Sequence, residues 1–286
     1  DVHTKMCRTL VIMYIKTKLK YNKSLVIGFF IFSLVILLAV FSPYLTSYDP
    51  LKIDVVNRLK VPNNEHLLGT DELGRDVFTR LLYGSRISIS VGLVSVSIAL
   101  IIGIPLGLIS AYYGKIADSM IMRFMDALAA FPAILLALAI LSVLGPSIHN
   151  AMIAIGIVYL PAFSRVVRGS VLTVKNNEFV HSANSIGSTE FRILFRTILP
   201  NCLSPIIVHA SLGIANAIII EAALGYLGLG AQPPTPSWGA MLEQGRHFMN
   251  QNVWYSISAG MAIFITVIGI NLLGDGLRDL LDPQLK

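Results

Sequence analysis

The sequence predicts an all-α membrane protein with six transmembrane helices, and three observations predict it. Of 286 residues, 55% are hydrophobic and 13% charged, about half the charged share of an ordinary soluble domain. The charges cluster between long uncharged runs, each near or above the ~20 residues needed to cross about 30 Å of hydrocarbon. Basic residues flank those runs, so the formal net charge of +6 points to a bilayer rather than to nucleic acid.

The first span is residues 25–45, which carry no charge and follow Lys16, Lys18, Lys20 and Lys23. No small-residue cleavage site is evident, so this run reads as a retained anchor. Residues 87–114 form the second span. Residues 127–164 hold nothing ionisable except His149 and are too long for one helix. Gly145-Pro146 divides them into the third and fourth spans. Residues 197–220 and 253–274 hold the fifth and sixth. The resulting divisions are an N-terminal segment 1–24, the first span 25–45, a polar segment 46–86, a five-helix core 87–275 containing the loop 165–196, and a tail 276–286.

Lysine and arginine set the orientation. With both ends in the cytoplasm, fifteen of the 22 basic residues lie inside: Lys5, Arg8, Lys16, Lys18, Lys20, Lys23, Lys115, Arg123, Arg165, Arg168, Lys175, Arg192, Arg196, Arg278 and Lys286. The segment 46–86 and the loop 226–252 are then extracytoplasmic, and 165–196 is cytoplasmic. Cys7 and Cys202 are far apart and the six histidines scattered, so neither a disulfide framework nor a metal site is expected.

The cytoplasmic loop carries helical periodicity. Phe179, Ala183 and Ile186 recur at helical spacing, Gly187 interrupts, and Phe191, Leu194 and Phe195 form a second stripe. Leu199-Pro200 opens the fifth span, where proline is tolerated in the first turn. This reads as two short helices with an elbow, and an exposed apolar helix face needs either a partner or the headgroup layer.

The segment Glu178-Phe-Val-His-Ser-Ala-Asn-Ser-Ile-Gly187, followed by Leu199-Pro200, resembles the "EAA" loop of permease subunits of bacterial ABC importers. His181, Ser182 and Ala183 hold the Glu-Ala-Ala positions, with His181 replacing the glutamate, while Gly187, Leu199 and Pro200 match. Leu68-Gly-Thr-Asp-Glu-Leu-Gly-Arg-Asp76, Leu227-Gly-Leu-Gly-Ala-Gln-Pro-Pro-Thr-Pro-Ser-Trp-Gly239 and Asn271-Leu-Leu-Gly-Asp-Gly-Leu-Arg-Asp-Leu-Leu-Asp-Pro283 are similar to the second permease subunit of dipeptide, oligopeptide and nickel importers.

The resemblance implies a type I importer (MetI-like) permease fold in a bacterial inner membrane. It implies a homologous second permease subunit, two ATP-binding subunits and an extracytoplasmic solute-binding protein as partners. ATP and magnesium would sit on the ATPase subunits, with no cofactor in this chain, and the sequence has no Gly-x-x-x-x-Gly-Lys-Ser/Thr phosphate loop. Val180, His181, Ser182, Ala183 and Ile186, ending at Gly187, would form the coupling helix, with Leu199 and Pro200 behind it. Gly187 would let two helices meet closely and turn sharply, or would simply cap a helix. The imported solute would be a short peptide, or nickel or a metal chelate.

Other residues stand out. Gly69, Thr70, Asp71, Gly74, Arg75 and Asp76 form a structural motif outside the membrane, and Asp71 and Arg75, four apart on a helix, could pair. Pro233, Pro234, Pro236, Trp238 and Gly239 stiffen the last outer loop, which would touch the binding protein or close an outer gate. Glu221, beside an apolar run, would face the pathway or lie at the outer interface. Arg165 and Arg168 would anchor the fourth span to headgroups. Asp275, Arg278, Asp279 and Asp282 would meet an ATPase or end the last helix. A stand-alone transporter or channel, a membrane enzyme and a purely structural subunit are the competing classes; no filter, ion-coupling set or nucleophile-base set is recognisable.

Overall fold

Uncharged apolar segments can satisfy their backbone in a bilayer only as helices or closed barrels, and this chain uses helices. A computed structural model describes residues 22–281; Lys5, Cys7, Arg8, Lys16, Lys18, Lys20, Asp282 and Lys286, named above, lie outside these residues. The main helices are α1 Lys23–Val40, α2 Val77–Tyr113, α3 Lys115–Ala129, α4 Ala133–Leu144, α5 Ile148–Val174, α6 Glu178–Ser185, α7 Leu203–Tyr226, α8 Trp238–Arg246 and α9 Val253–Leu281. Helical turns at Glu190–Arg192, Ile193–Ile198 and Leu199–Cys202 lead into α7.

Five of these paths are long and apolar enough to cross a membrane, and α3 with α4 forms a sixth, broken path bent by 91°. The turn expected at Gly145-Pro146 separates α4 from α5, with Gly145 at φ 84° closing α4. A second interruption, at residues 130–132, was not expected. Pro132 stands at the start of α4, and a proline bars its predecessor from continuing a helix.

Small residues set the packing. α2 and α5 run parallel, and a Cβ added to Gly107 would lie 2.6 Å from the Val167 Cβ. α1 lies antiparallel against α9, where a Cβ on Gly276 would meet the Leu25 backbone at 2.5 Å. Such close backbone approach substitutes for the hydrophobic drive that lipid does not supply. The core gathers Val91, Ala99, Leu141, Ile155, Phe163 and Leu224 from α2, α4, α5 and α7. The outer face of α1, including Phe29 and Phe30, is open, as a lipid-facing surface should be.

The helices leave two poles. Residues 46–76 and α8 build a cap at one; α6 and the turns before α7 build an elbow at the other. α2 begins ten residues before the uncharged run, because Arg80 and Arg86 belong to its first turns. α7 runs on past Glu221 to Tyr226, and α9 extends through Arg278.

Candidate functional site

The cap is closed by buried charge. Asp71 is fully buried, and its Oδ2 accepts from Arg75 Nε at 2.6 Å and pairs with Arg80 Nε at 3.3 Å. Its Oδ1 accepts from the backbone N–H groups of Leu73 (2.8 Å) and Arg75 (2.9 Å). The Asp71–Arg75 pair therefore forms, but across a tight turn rather than along a helix. An aspartate that bonds the backbone two residues ahead favours a turn over a helix. Gly74, at φ 77°, completes it, and a Cβ there would fall 1.6 Å from Asp54 O.

Asp76 starts α2. Its Oδ2 accepts from Thr79 N at 2.7 Å, an N-cap bond, and its Oδ1 lies 3.0 Å from His66 Nδ1. Thr70 Oγ1 donates to Asn57 O, and Asn252 Nδ2 donates to Thr70 O at 2.9 Å, tying the start of α9 to the cap. Gly69 sits at φ 76° against Lys60 O. Arg80 Nη2 and Tyr255 Oη both reach Gln244 Oε1, at 3.5 and 2.8 Å. One buried network thus joins residues 46–76 to α2, α8 and α9.

The last outer loop turns inward instead of outward. Trp238 is 1% exposed and its Nε1 donates to Leu81 O at 3.1 Å. Gly239 packs against Ala222 and Gly225, where a Cβ would lie 2.8 Å from Ala222 O. Pro236 is buried too, so Pro233 and Pro234 are the exposed pair of this set. Trp238, Gly239 and Pro236 are accordingly packing residues and are not placed to touch another protein. Glu221 is 2% exposed, with Oε2 accepting from Ser88 Oγ at 2.9 Å. Glu221 is enclosed within the α2–α7 contact rather than open to a path, and Ser88 supplies one of the donors that a buried carboxylate needs.

The elbow is built the opposite way. Val180 is 2% exposed and packs with Leu108, Val167, Val171 and Ile193, with Ala183 beside them. The rest of α6 is uncovered: His181 and Ser182 are exposed, as is Phe179, and Ile186 is 81% exposed. Gly187, at φ 76°, ends α6 with two bonds, Gly187 N to Asn184 O at 3.0 Å and Ser188 N to Ala183 O at 3.2 Å. That pair is a Schellman cap. Nothing lies within 4 Å of a Cβ placed on Gly187, so the close helix approach expected there does not occur within this chain; the sharp turn does. Phe191 is 71% exposed and stacks on Phe195, centroids 4.6 Å apart. Pro200, first in its turn with Leu199, has no N–H to bond backward, and the path widens at Ile193–Ile198 just before it.

Arg165 and Arg168 find carboxylates rather than headgroups. Arg168 Nε and Nη2 each donate to Asp118 at 2.6 Å, and Arg165 Nη2 donates to Asp126 at 2.7 Å. Asp118 and Asp126 lie just before the uncharged run 127–164, so a reading by uncharged runs passes over them. At the end of α9, Asn22 Nδ2 donates to Gly276 O and Asp279 Oδ2, both at 3.3 Å, so this end of the helix is fastened to the start of α1.

Comparison with known proteins places these features in a family. Residues 103–286 match the family described as the binding-protein-dependent transport system inner membrane component. Residues 14–62 match the N-terminal TM domain of oligopeptide transport permease C. The dipeptide transport system permease protein DppC of Alkalihalophilus pseudofirmus is 49% identical over 94% of this chain and 88% of its own. The probable D,D-dipeptide transport system permease protein DdpC of Escherichia coli is 46% identical over 88% of this chain and 84% of its own. The glutathione transport system permease protein GsiD of Pectobacterium atrosepticum is 45% identical over 94% and 89%. Among solved structures, an inward-facing form of the MetNI methionine ABC transporter superposes with a TM-score of 0.58 at 18% identity, over 71% of this chain and 96% of that one. This likeness concerns the fold.

Proposed function

The chain belongs to the binding-protein-dependent transport inner membrane component family, and from that premise we propose that it forms half of the pathway of an ATP-driven importer of short peptides. It is a multi-span permease component with a MetI-like fold. The relatives reported above are named for dipeptides, D,D-dipeptides and glutathione, which favours peptides over nickel or a metal chelate. A homologous second permease completes the pathway. Two ATP-binding subunits, carrying ATP and magnesium, dock from the cytoplasm, one of them at this elbow, and a solute-binding protein docks at the cap.

The observation that carries this reading is α6. Val180 fixes the helix to the body while Phe179 and, just past the helix end, Ile186 stand open, Ile186 at 81% exposure. A short helix held by one face with its apolar residues open suits a rigid coupling contact. His181, Ser182, Ala183 and Gly187 lie along that contact, with Leu199 and Pro200 joining it to α7. The basic residues gathered at the elbow, Lys175, Arg192 and Arg196 among them, support a cytoplasmic elbow and cytoplasmic termini. The cap motif around Asp71 then lies outside, and its task is structural: it fixes the outer ends of α2 and α9.

Purification of the native complex tests the reading. ATPase subunits should co-purify, and hydrolysis should rise when the binding protein and a dipeptide are added together. A chain that purifies alone and transports without nucleotide would return it to the stand-alone transporters.

A further inference from the structure

The third span, expected from residue 127, falls on the last residues of α3 and on α4, and the break between them opens at a depth where lipid cannot serve it. α4 has 12 residues, about 18 Å of helix, which is short of the ~30 Å hydrocarbon layer. The break at residues 130–132 therefore lies inside the bilayer, no farther than that from the turn at Gly145. Residues 129–135 are exposed without interruption. The start of α4 has no side-chain cap, so the N–H groups of Ala133, Ile134 and Leu135 lack acceptors in their own helix. Non-helical backbone at membrane depth persists only where protein covers it or water reaches it.

A second observation selects water. Asp126, four residues before the break, pairs with Arg165 at 2.7 Å, and the two side chains are 64% and 49% exposed. Arg165 lies about 26 Å along α5 from its outer end, still within the hydrocarbon layer. A cleft lined by Asp118, Ser119, Arg123, Asp126, Arg165 and Arg168 holds this pair. An open ion pair is unfavourable against acyl chains, and a polar cleft that ends four residues before the break offers water a way toward its unbonded N–H groups.

We propose that residues 126–135, with Arg165 opposite, face the water-filled translocation path and not lipid. This rests on the permease reading and gives it a lining. The outer face of α1 is the contrast: Phe29 and Phe30 are as open, but its helix is unbroken and carries no charge between Lys23 and Val40.

Cysteine labelling tests it in the assembled complex, in a background with Cys7→Ser and Cys202→Ser. Phe131→Cys and Leu135→Cys are compared with Phe30→Cys, each first checked for retained uptake. The charged reagent methanethiosulfonate-ethyltrimethylammonium should modify positions 131 and 135 at least about tenfold faster than position 30, because the reacting thiolate forms in water. Reaction with a membrane-soluble maleimide alone would place the break in lipid, and reaction with neither reagent would place it under the second permease; either result overturns the proposal. Co-purified ATPase subunits are scored on the same preparations, so failure of the importer reading registers separately.

Discussion

The cap and the elbow are of opposite construction. At the cap, Asp71, Arg75, Asp76 and Arg80 are each at most 5% exposed; Asp71 answers both arginines, and His66 answers Asp76. At the elbow, α6 buries Val180 and leaves Phe179 and Ile186 open. The difference teaches where each motif does its work. A motif whose charges are all internally partnered is finished within the chain and holds helix ends in place. A motif whose apolar residues are uncovered is open to a further subunit, as proposed for the elbow. Substitutions should therefore cost stability at the cap and coupling at the elbow.

The largest expected effect is at Asp71. Asp71→Ala leaves Arg75 and Arg80 buried beside a missing carboxylate, and removing one partner of a buried pair costs about 3–5 kcal/mol. Thermal unfolding in detergent should show a large loss, with little folded protein recovered. The two turn glycines come next and separate the regions cleanly. Gly74 and Gly187 share φ near 76°, a backbone penalty of about 1–2 kcal/mol for most residues. Gly74→Ala adds a collision with Asp54 O, so it should destabilise more than Gly187→Ala in the same assay. Gly187→Asn, which tolerates this backbone, should leave unfolding within about 1 kcal/mol of the parent. The smallest stability effect belongs to Arg165→Ala. Its ion pair with Asp126 is roughly half open, and exposed pairs contribute about 0–1 kcal/mol. A cap that tolerated Asp71→Ala, or an elbow that unfolded on Gly187→Asn, would erase the distinction.

Much of this architecture is legible in the sequence, because charge is excluded from lipid and uncharged runs mark the spans. Gly145-Pro146 is read as a turn since both residues oppose helix. The second break is equally marked by Pro132, but Phe131-Pro132 sits in an uncharged stretch where attention to charge alone passes over it. The early start of α2 is hidden for a related reason. Arg80 looks like a solvent residue until Asp71 is seen beside it, and only the folded turn brings them together. Burial of Trp238 and Gly239 escapes local reading as well, since it depends on Ala222, Gly225 and Leu81, far away in sequence. Pairing of Asp71 with Arg75 is legible by spacing; the turn that makes it is legible in Asp71 and Gly74, whose preferences are for turns.

The central claim, that the elbow is a docking surface for an ATPase subunit, is tested most directly by Ile186→Asp. This side chain is 81% exposed, so replacing it should cost the folded body little. With the binding protein and a dipeptide present, the variant complex should keep its unfolding temperature while solute-stimulated ATP hydrolysis and ATPase co-purification both collapse. Full stimulation by a complex carrying an aspartate at position 186 would contradict the account.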